Sequence, residues 1–231
     1  MFQMKNAVLI LLGTFLFTSS IFTQLQPPYD SIEVLSFKEG GWYVNGSEIE
    51  KLIKTRKVKV IVELGSWLGR STRHMAGIIP EDGVVYAVDH WLGSDGLQIT
   101  YADLIPTLYQ QFLSNMIHAK LAHKIIPIKM STLQAAKKCA ELRIKPDLIY
   151  VDASHDEKSV YDDLCAWYPF VKGHGIICGD DWGWHEESIF TIQAAVNRFA
   201  RENNLIVEVP NGWMWLLREP ASSPSSRTIL R

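Results

Sequence analysis

The stretch Val58-Lys-Val-Ile-Val-Glu-Leu-Gly-Ser-Trp-Leu-Gly69 decides the fold. An apolar run, Val58 to Val62, ends in Glu63, and Gly65 and Gly69 lead into a segment of helical character. This pattern predicts a buried strand, a tight turn and a helix start. Such a turn brings bare backbone and a helix N-terminus up to whatever binds above the sheet. A second apolar run, Val84 to Val88, ends in Asp89. An acid at the end of a second strand is placed to hold the two ribose hydroxyls of a nucleoside. The two strand ends together predict a nucleoside cofactor.

The glycine spacing bears on which nucleoside it is. A dinucleotide site uses Gly-x-Gly-x-x-Gly, packed tightly for a pyrophosphate. Here the spacing is Glu-x-Gly-x-x-x-Gly, with the bulky Trp67 inside the turn. An acid at the end of the first strand suits a cationic ligand better than a phosphate, and S-adenosylmethionine carries a sulfonium and an ammonium. The stretch resembles the first motif of Rossmann-like adenosylmethionine-dependent methyltransferases. The resemblance implies cofactor contacts from Glu63, Gly65, Ser66, Gly69 and Asp89, and adenine contact from Ser131 after the third strand. A helix N-cap is the other reading of Ser131.

Outward from this stretch, strands are expected at 58–63, 83–88, 124–128, 148–151 and 175–178, with helices near 47–54, 68–79, 102–119, 132–142, 157–169 and 188–203. Ser47 with Glu50 forms a capping-box pattern for the first helix. Two last strands, 205–209 and 213–217, flank Pro210-Asn211-Gly212 and predict a hairpin. Alternating strands and helices imply an α/β fold, a mostly parallel seven-stranded sheet with helices on both faces and a C-terminal antiparallel hairpin. That is the Rossmann-like methyltransferase arrangement.

Asp152 closes the fourth strand, and Asp180 and Asp181 close the fifth. Ligands of open α/β sheets bind beyond these carboxyl ends. Three converging carboxylates raise one another's pKa unless a cation sits among them, and Mg²⁺ favours such a set. The runs Tyr150-Val-Asp-Ala-Ser-His155, Tyr161-Asp-Asp-Leu164 and Gly173-His-Gly-Ile-Ile-Cys-Gly-Asp-Asp-Trp182, with Asp89-His-Trp-Leu-Gly93, resemble the macrocin and cephalosporin-biosynthesis type of small-molecule O-methyltransferase. More distantly they resemble the catechol and caffeoyl-CoA enzymes. The resemblance covers about residues 40–217 and implies a divalent metal on Asp152, Asp180 and Asp181. Two helix N-caps, Asp152 and Asp181, are the plainer alternative. His155 is the candidate general base; it could equally hydrogen-bond a loop carbonyl or a carboxylate. Asp152 could itself take the proton where no metal binds. Trp67, Trp91, Trp182 and Trp184 fall in strand-end loops, as walls of an acceptor pocket or as packing.

A chain of 231 residues with 47 % apolar content suffices for one sizeable core. A net charge of -2 argues against nucleic acid as a partner. The three cysteines, Cys139, Cys165 and Cys178, form no metal or disulfide spacing. Ala7 to Phe22 is free of charge and follows Lys5. It is short for a membrane span and fits a signal peptide or an anchor. The expected organisation is an apolar segment over 1–24, a linker and lead-in over 25–46, the methyltransferase domain over 47–218 and a tail over 219–231. Membrane association or export through residues 7–22 is expected, although adenosylmethionine requires access from the cytoplasmic face.

The expected function is methyl transfer from adenosylmethionine to a hydroxyl of a small-molecule acceptor, assisted by Mg²⁺ or a similar cation. The alternatives are an NAD(P)-binding oxidoreductase and a secreted or tethered binding protein that kept the fold without the chemistry.

Overall fold

The computed structural model describes residues 25–94, 99–185 and 187–220. Its centre is a seven-stranded sheet in the order β3-β2-β1-β4-β5-β7-β6. The strands are β1 (Val60–Leu64), β2 (Val84–Asp89), β3 (Ile125–Lys129), β4 (Leu148–Val151), β5 (Ile176–Gly179), β6 (Ile206–Glu208) and β7 (Trp215–Arg218). Only β7 runs antiparallel to the parallel set. The expected mostly parallel sheet with its C-terminal antiparallel hairpin is therefore present.

Side-chain alternation divides the core in two. Ile61, Leu148, Tyr150, Ile176 and Cys178 pack under α1 (Gly46–Arg56), α2 (Arg70–Ile78) and α3 (Leu108–His118). Their neighbours Val62, Leu64, Ile149, Val151 and Ile177 pack under α4 (Thr132–Glu141), α5 (Glu157–Trp167) and α6 (Thr191–Glu202). Successive residues of a strand face opposite ways, so each apolar strand serves both layers.

Some boundaries depart from the sequence reading. α3 begins at Leu108, not near 102, because Pro106 sits in a short 3-10 turn ahead of it. The N-cap of α1 is Asn45 with no side-chain cap bond, so the Ser47–Glu50 capping box is not the device used. Residues 209–214 join β6 to β7 in place of a two-residue Asn-Gly turn. Residues 25–45, read as linker and lead-in, lie along α3. Leu35 N–H donates to Ser114 Oγ, Lys38 N–H to Asn115 Oδ1, and the buried Tyr29 hydroxyl to the Ile125 carbonyl at 2.9 Å. Among the described residues no helix is long and apolar enough to cross a membrane. The apolar stretch 7–22 lies outside the described residues.

Candidate active site

The chain order reverses between β1 and β4, which creates the crevice where open α/β sheets bind ligands. Gly65 makes that junction close. It has φ +85°, and a Cβ there would stand 1.9 Å from the Asp152 carbonyl oxygen. Gly69, at φ +79°, would meet Met116 and Phe112 instead. Gly69 therefore packs α2 onto α3 and is not among the residues lining the cavity. The backbone is left-handed at Trp67, Trp91 and Asp181, beyond the ends of β1, β2 and β5. Non-glycine residues in that conformation cluster at functional sites.

Above this crevice lies a cavity of about 970 Å³. Gly65, Ser66, Asp89, Ser131, Asp152, His155, Asp180 and Asp181 all line it. Glu63, expected to grip the cofactor, does not. It is fully buried one residue below, on the α2 side of the sheet, and accepts hydrogen bonds from Ser66 Oγ at 2.7 Å, Ser71 Oγ and Thr72 Oγ1. Burial pushes its carboxyl above the usual range, and the three hydroxyls pull it back. Glu63 ties the turn to the first turn of α2. Its partners Ser71 and Thr72 were not singled out from sequence, since nothing marked them as facing it.

Asp89 is a backbone clamp. Its Oδ2 accepts from Ser66 N–H at 3.0 Å and Trp67 N–H at 2.9 Å, and its Oδ1 from Trp91 N–H at 2.6 Å. A carboxylate offers about four lone-pair sites, so one acceptor site remains on Oδ1, and Asp89 lines the cavity. Ser131 caps α4 in a capping box with Gln134 and also borders the cavity, so the N-cap reading holds.

The three strand-end aspartates share the cavity but do not assemble as a metal cage. Asp180 continues the face of Cys178. Its Oδ2 accepts from the Tyr150 hydroxyl at 2.9 Å and its Oδ1 from Asp181 N–H at 2.7 Å. Asp181, in left-handed backbone, turns to the other layer, and its Oδ2 meets His155 Nε2 at 2.9 Å. Asp152 has no hydrogen bond to its carboxylate among the described residues. Its pKa stands well above the usual value, through burial first and then the nearby Asp180 and Asp181. Burial likewise raises Asp180, opposed by its hydrogen bonds. Among the described residues no three His, Cys, Asp or Glu side chains are arranged to hold a metal ion. The cation expected of Asp152, Asp180 and Asp181 is therefore not shown, although all three line the one cavity. The alternative of two N-caps is not seen either: Asp156 caps α5, and Phe190 occupies the N-cap of α6.

His155 is held firmly. Besides Asp181, Trp184 stacks on its ring at 4.6 Å and 26°, and Thr191 Oγ1 donates to its carbonyl. Of the four strand-end indoles, Trp67 and Trp184 line the cavity, whereas Trp91 is 2 % exposed and packs on Phe112. Trp182 packs into the second core. Two indoles not singled out, Trp42 and Trp213, complete the rim.

A family model described as a methyltransferase domain matches residues 62–182, which includes both motif-bearing strand ends and the aspartate pair. The chain belongs to this methyltransferase-domain family. No curated protein sequence matches it significantly. Among solved structures, a candidate caffeoyl-CoA O-methyltransferase from Staphylococcus aureus superposes with a TM-score of 0.59 at 16 % identity, over 79 % of this chain and 86 % of the other. A candidate O-methyltransferase from Klebsiella pneumoniae gives 0.57 at 19 %, over 80 % and 84 %. An O-methyltransferase from Streptomyces achromogenes, involved in tomaymycin synthesis and solved with adenosylmethionine, gives 0.55 at 15 %, over 76 % and 80 %. These likenesses establish the Rossmann-like fold. The family model bears out the class of adenosylmethionine-dependent methyltransferase and favours neither the oxidoreductase nor the non-catalytic alternative.

Proposed function

We propose that the methyltransferase moves a methyl group from adenosylmethionine to a hydroxyl oxygen of a small-molecule acceptor, with His155 as general base. One observation carries this reading: a single cavity joins the Asp89-clamped turn to the His155–Asp181 pair. The turn supplies what a nucleoside needs. Asp89 keeps one acceptor site, on Oδ1, for a ribose hydroxyl while its backbone bonds fix the carboxylate in place.

The acceptor oxygen attacks the sulfonium methyl carbon. The carbon–sulfur bond breaks, its electron pair stays on sulfur, and adenosylhomocysteine results. The hydroxyl proton goes to His155. A carboxylate only accepts, so Asp181 keeps the hydrogen on His155 Nε2 and leaves Nδ1 as the basic nitrogen. Orientation and proton removal by such a pair typically give about 10²–10⁴-fold in rate. The His155–Asp181 pair supplies the proton step from side chains, and a divalent cation on Asp152, Asp180 and Asp181, where one binds, would add polarisation of the acceptor oxygen. The apolar stretch 7–22 supports membrane association or export, and adenosylmethionine supply requires access from the cytoplasmic face.

The test incubates the full-length chain with adenosylmethionine and a panel of hydroxylated small molecules, with and without chelator, and follows methylated product by mass. Methyl transfer that survives chelation supports the reading. Transfer abolished by chelator and restored by Mg²⁺ would replace the His155 base with a metal-assisted step.

A further inference from the structure

The acceptor side of the cavity has a definite chemistry. Its rim joins two distant chain segments. Asn211 Nδ2 donates to the buried Asn45 Oδ1 at 2.7 Å. Asn45 Nδ2 reaches the Tyr150 hydroxyl at 3.4 Å, and Tyr150 donates to Asp180. This chain of bonds sets the rim beside Asp181 and His155. Three residues before Asn45 stands Trp42, 69 % exposed, and two residues after Asn211 stands Trp213, 47 % exposed. Both line the cavity. Tyr101 meets Trp42 edge-on at 6.3 Å and Trp67 at 5.5 Å. Large indoles left open at a cavity mouth, braced by ring contacts, are suited to stack a planar ligand.

The charge is one-sided. Among the described residues the cavity lining includes Asp89, Asp152, Asp162, Asp163, Asp180 and Asp181 against Arg70 as its one Lys or Arg, beside His90 and His155. Arg70 is already committed to the Gly41 carbonyl at 3.1 Å and faces Glu39 at 3.6 Å. Protonation makes an aspartate neutral, never cationic. In sequence, the segments 25–47, 90–101 and 182–190 carry the same bias: Lys38 is their only Lys or Arg, against Asp30, Glu33, Glu39, Asp95, Glu186 and Glu187. Recognition of phosphates or carboxylates uses Arg or Lys forks, and these are missing from the sequence of all three segments, Lys38 apart.

We infer that the acceptor is an uncharged or cationic aromatic molecule, stacked between the Trp42 and Trp213 rims, and that anionic acceptors such as coenzyme A thioesters are excluded. This rests on the methyltransferase reading above. It sets the chain apart from the acceptor that the Staphylococcus aureus neighbour's description prints, despite the shared fold.

The test is calorimetry on the full-length chain saturated with adenosylhomocysteine, using three dihydroxybenzenes that differ only in one substituent: aminoethyl, methyl or carboxylate. The first two bind at least about tenfold more tightly than the third. Trp42→Ala and Trp213→Ala each weaken them while adenosylhomocysteine affinity is unchanged. Equal or tighter binding of the carboxylate overturns the inference, as does failure of all three to bind a protein that takes adenosylhomocysteine. Failure to take adenosylhomocysteine would instead overturn the methyltransferase reading, and the acceptor assignment with it.

Discussion

His155 Nε2 lies 2.9 Å from Asp181 Oδ2, joining the loop after β4 to the second residue beyond β5. Among the described residues, this bond and the Trp184 stack define the imidazole's orientation at the cavity wall. His155→Ala is expected to lower kcat by about 10²-fold or more with little change in adenosylhomocysteine affinity. Asp181→Asn keeps the side chain's size but permits the opposite tautomer. It should lower kcat and alter the pH–rate profile, which a purely structural Asp181 would not.

Glu63 separates anchoring from ligand contact. Glu63→Ala leaves Ser66, Ser71 and Thr72 hydroxyls without their shared acceptor and opens a hole below the turn. A loss of about 3 kcal/mol is expected in chemical denaturation. Glu63→Gln keeps the volume and one carbonyl acceptor. It should be milder in stability and leave adenosylhomocysteine affinity nearly unchanged in calorimetry, because the side chain does not reach the cavity.

Gly65→Ala tests the β1–β4 junction. The added methyl meets the Asp152 carbonyl in a left-handed backbone position, so a cost of about 3 kcal/mol or more is expected. Thermal melts read the loss directly, and a melt within a degree of the parent protein would contradict the close approach.

Asp163, 3 % exposed, gives a pH signature. Burial raises its pKa from 3.8 to about 6, against a hydrogen bond from Thr132. The folded state therefore holds the proton that the unfolded chain releases, and stability falls as pH rises from 3.8 through about 6. Asp163→Asn removes that penalty. It should stabilise the protein at pH 8 by on the order of 1–3 kcal/mol and give no such gain at pH 4, as denaturation at the two pH values would show.

Much of this site was legible before the fold was known. Glu63, Gly65 and Asp89 sit at strand ends because apolar runs of strand length stop there, and the switch point follows from the strand–helix alternation. Asp152, Asp180, Asp181 and His155 do come to one cavity. Their orientations were not legible. Adjacent Asp180 and Asp181 take different partners, Tyr150 and His155, because neighbouring residues at a strand end face opposite layers. Glu63 likewise faces downward by the alternation that puts Ile61 under α2. The rim escaped notice because Asn45 and Asn211 lie 166 positions apart, and a local pattern around Asn211 reads only as a turn.

Asp89 carries the central claim, that a nucleoside binds at the ends of β1 and β2. The direct measurement is calorimetric titration of the full-length chain and of Asp89→Ala with adenosylhomocysteine. Saturable binding by the parent protein, weakened at least about tenfold in the variant with its fold intact by circular dichroism, is the expected result. A folded parent protein that gives no binding heat at millimolar ligand, or a variant that binds as tightly as the parent, would contradict the account.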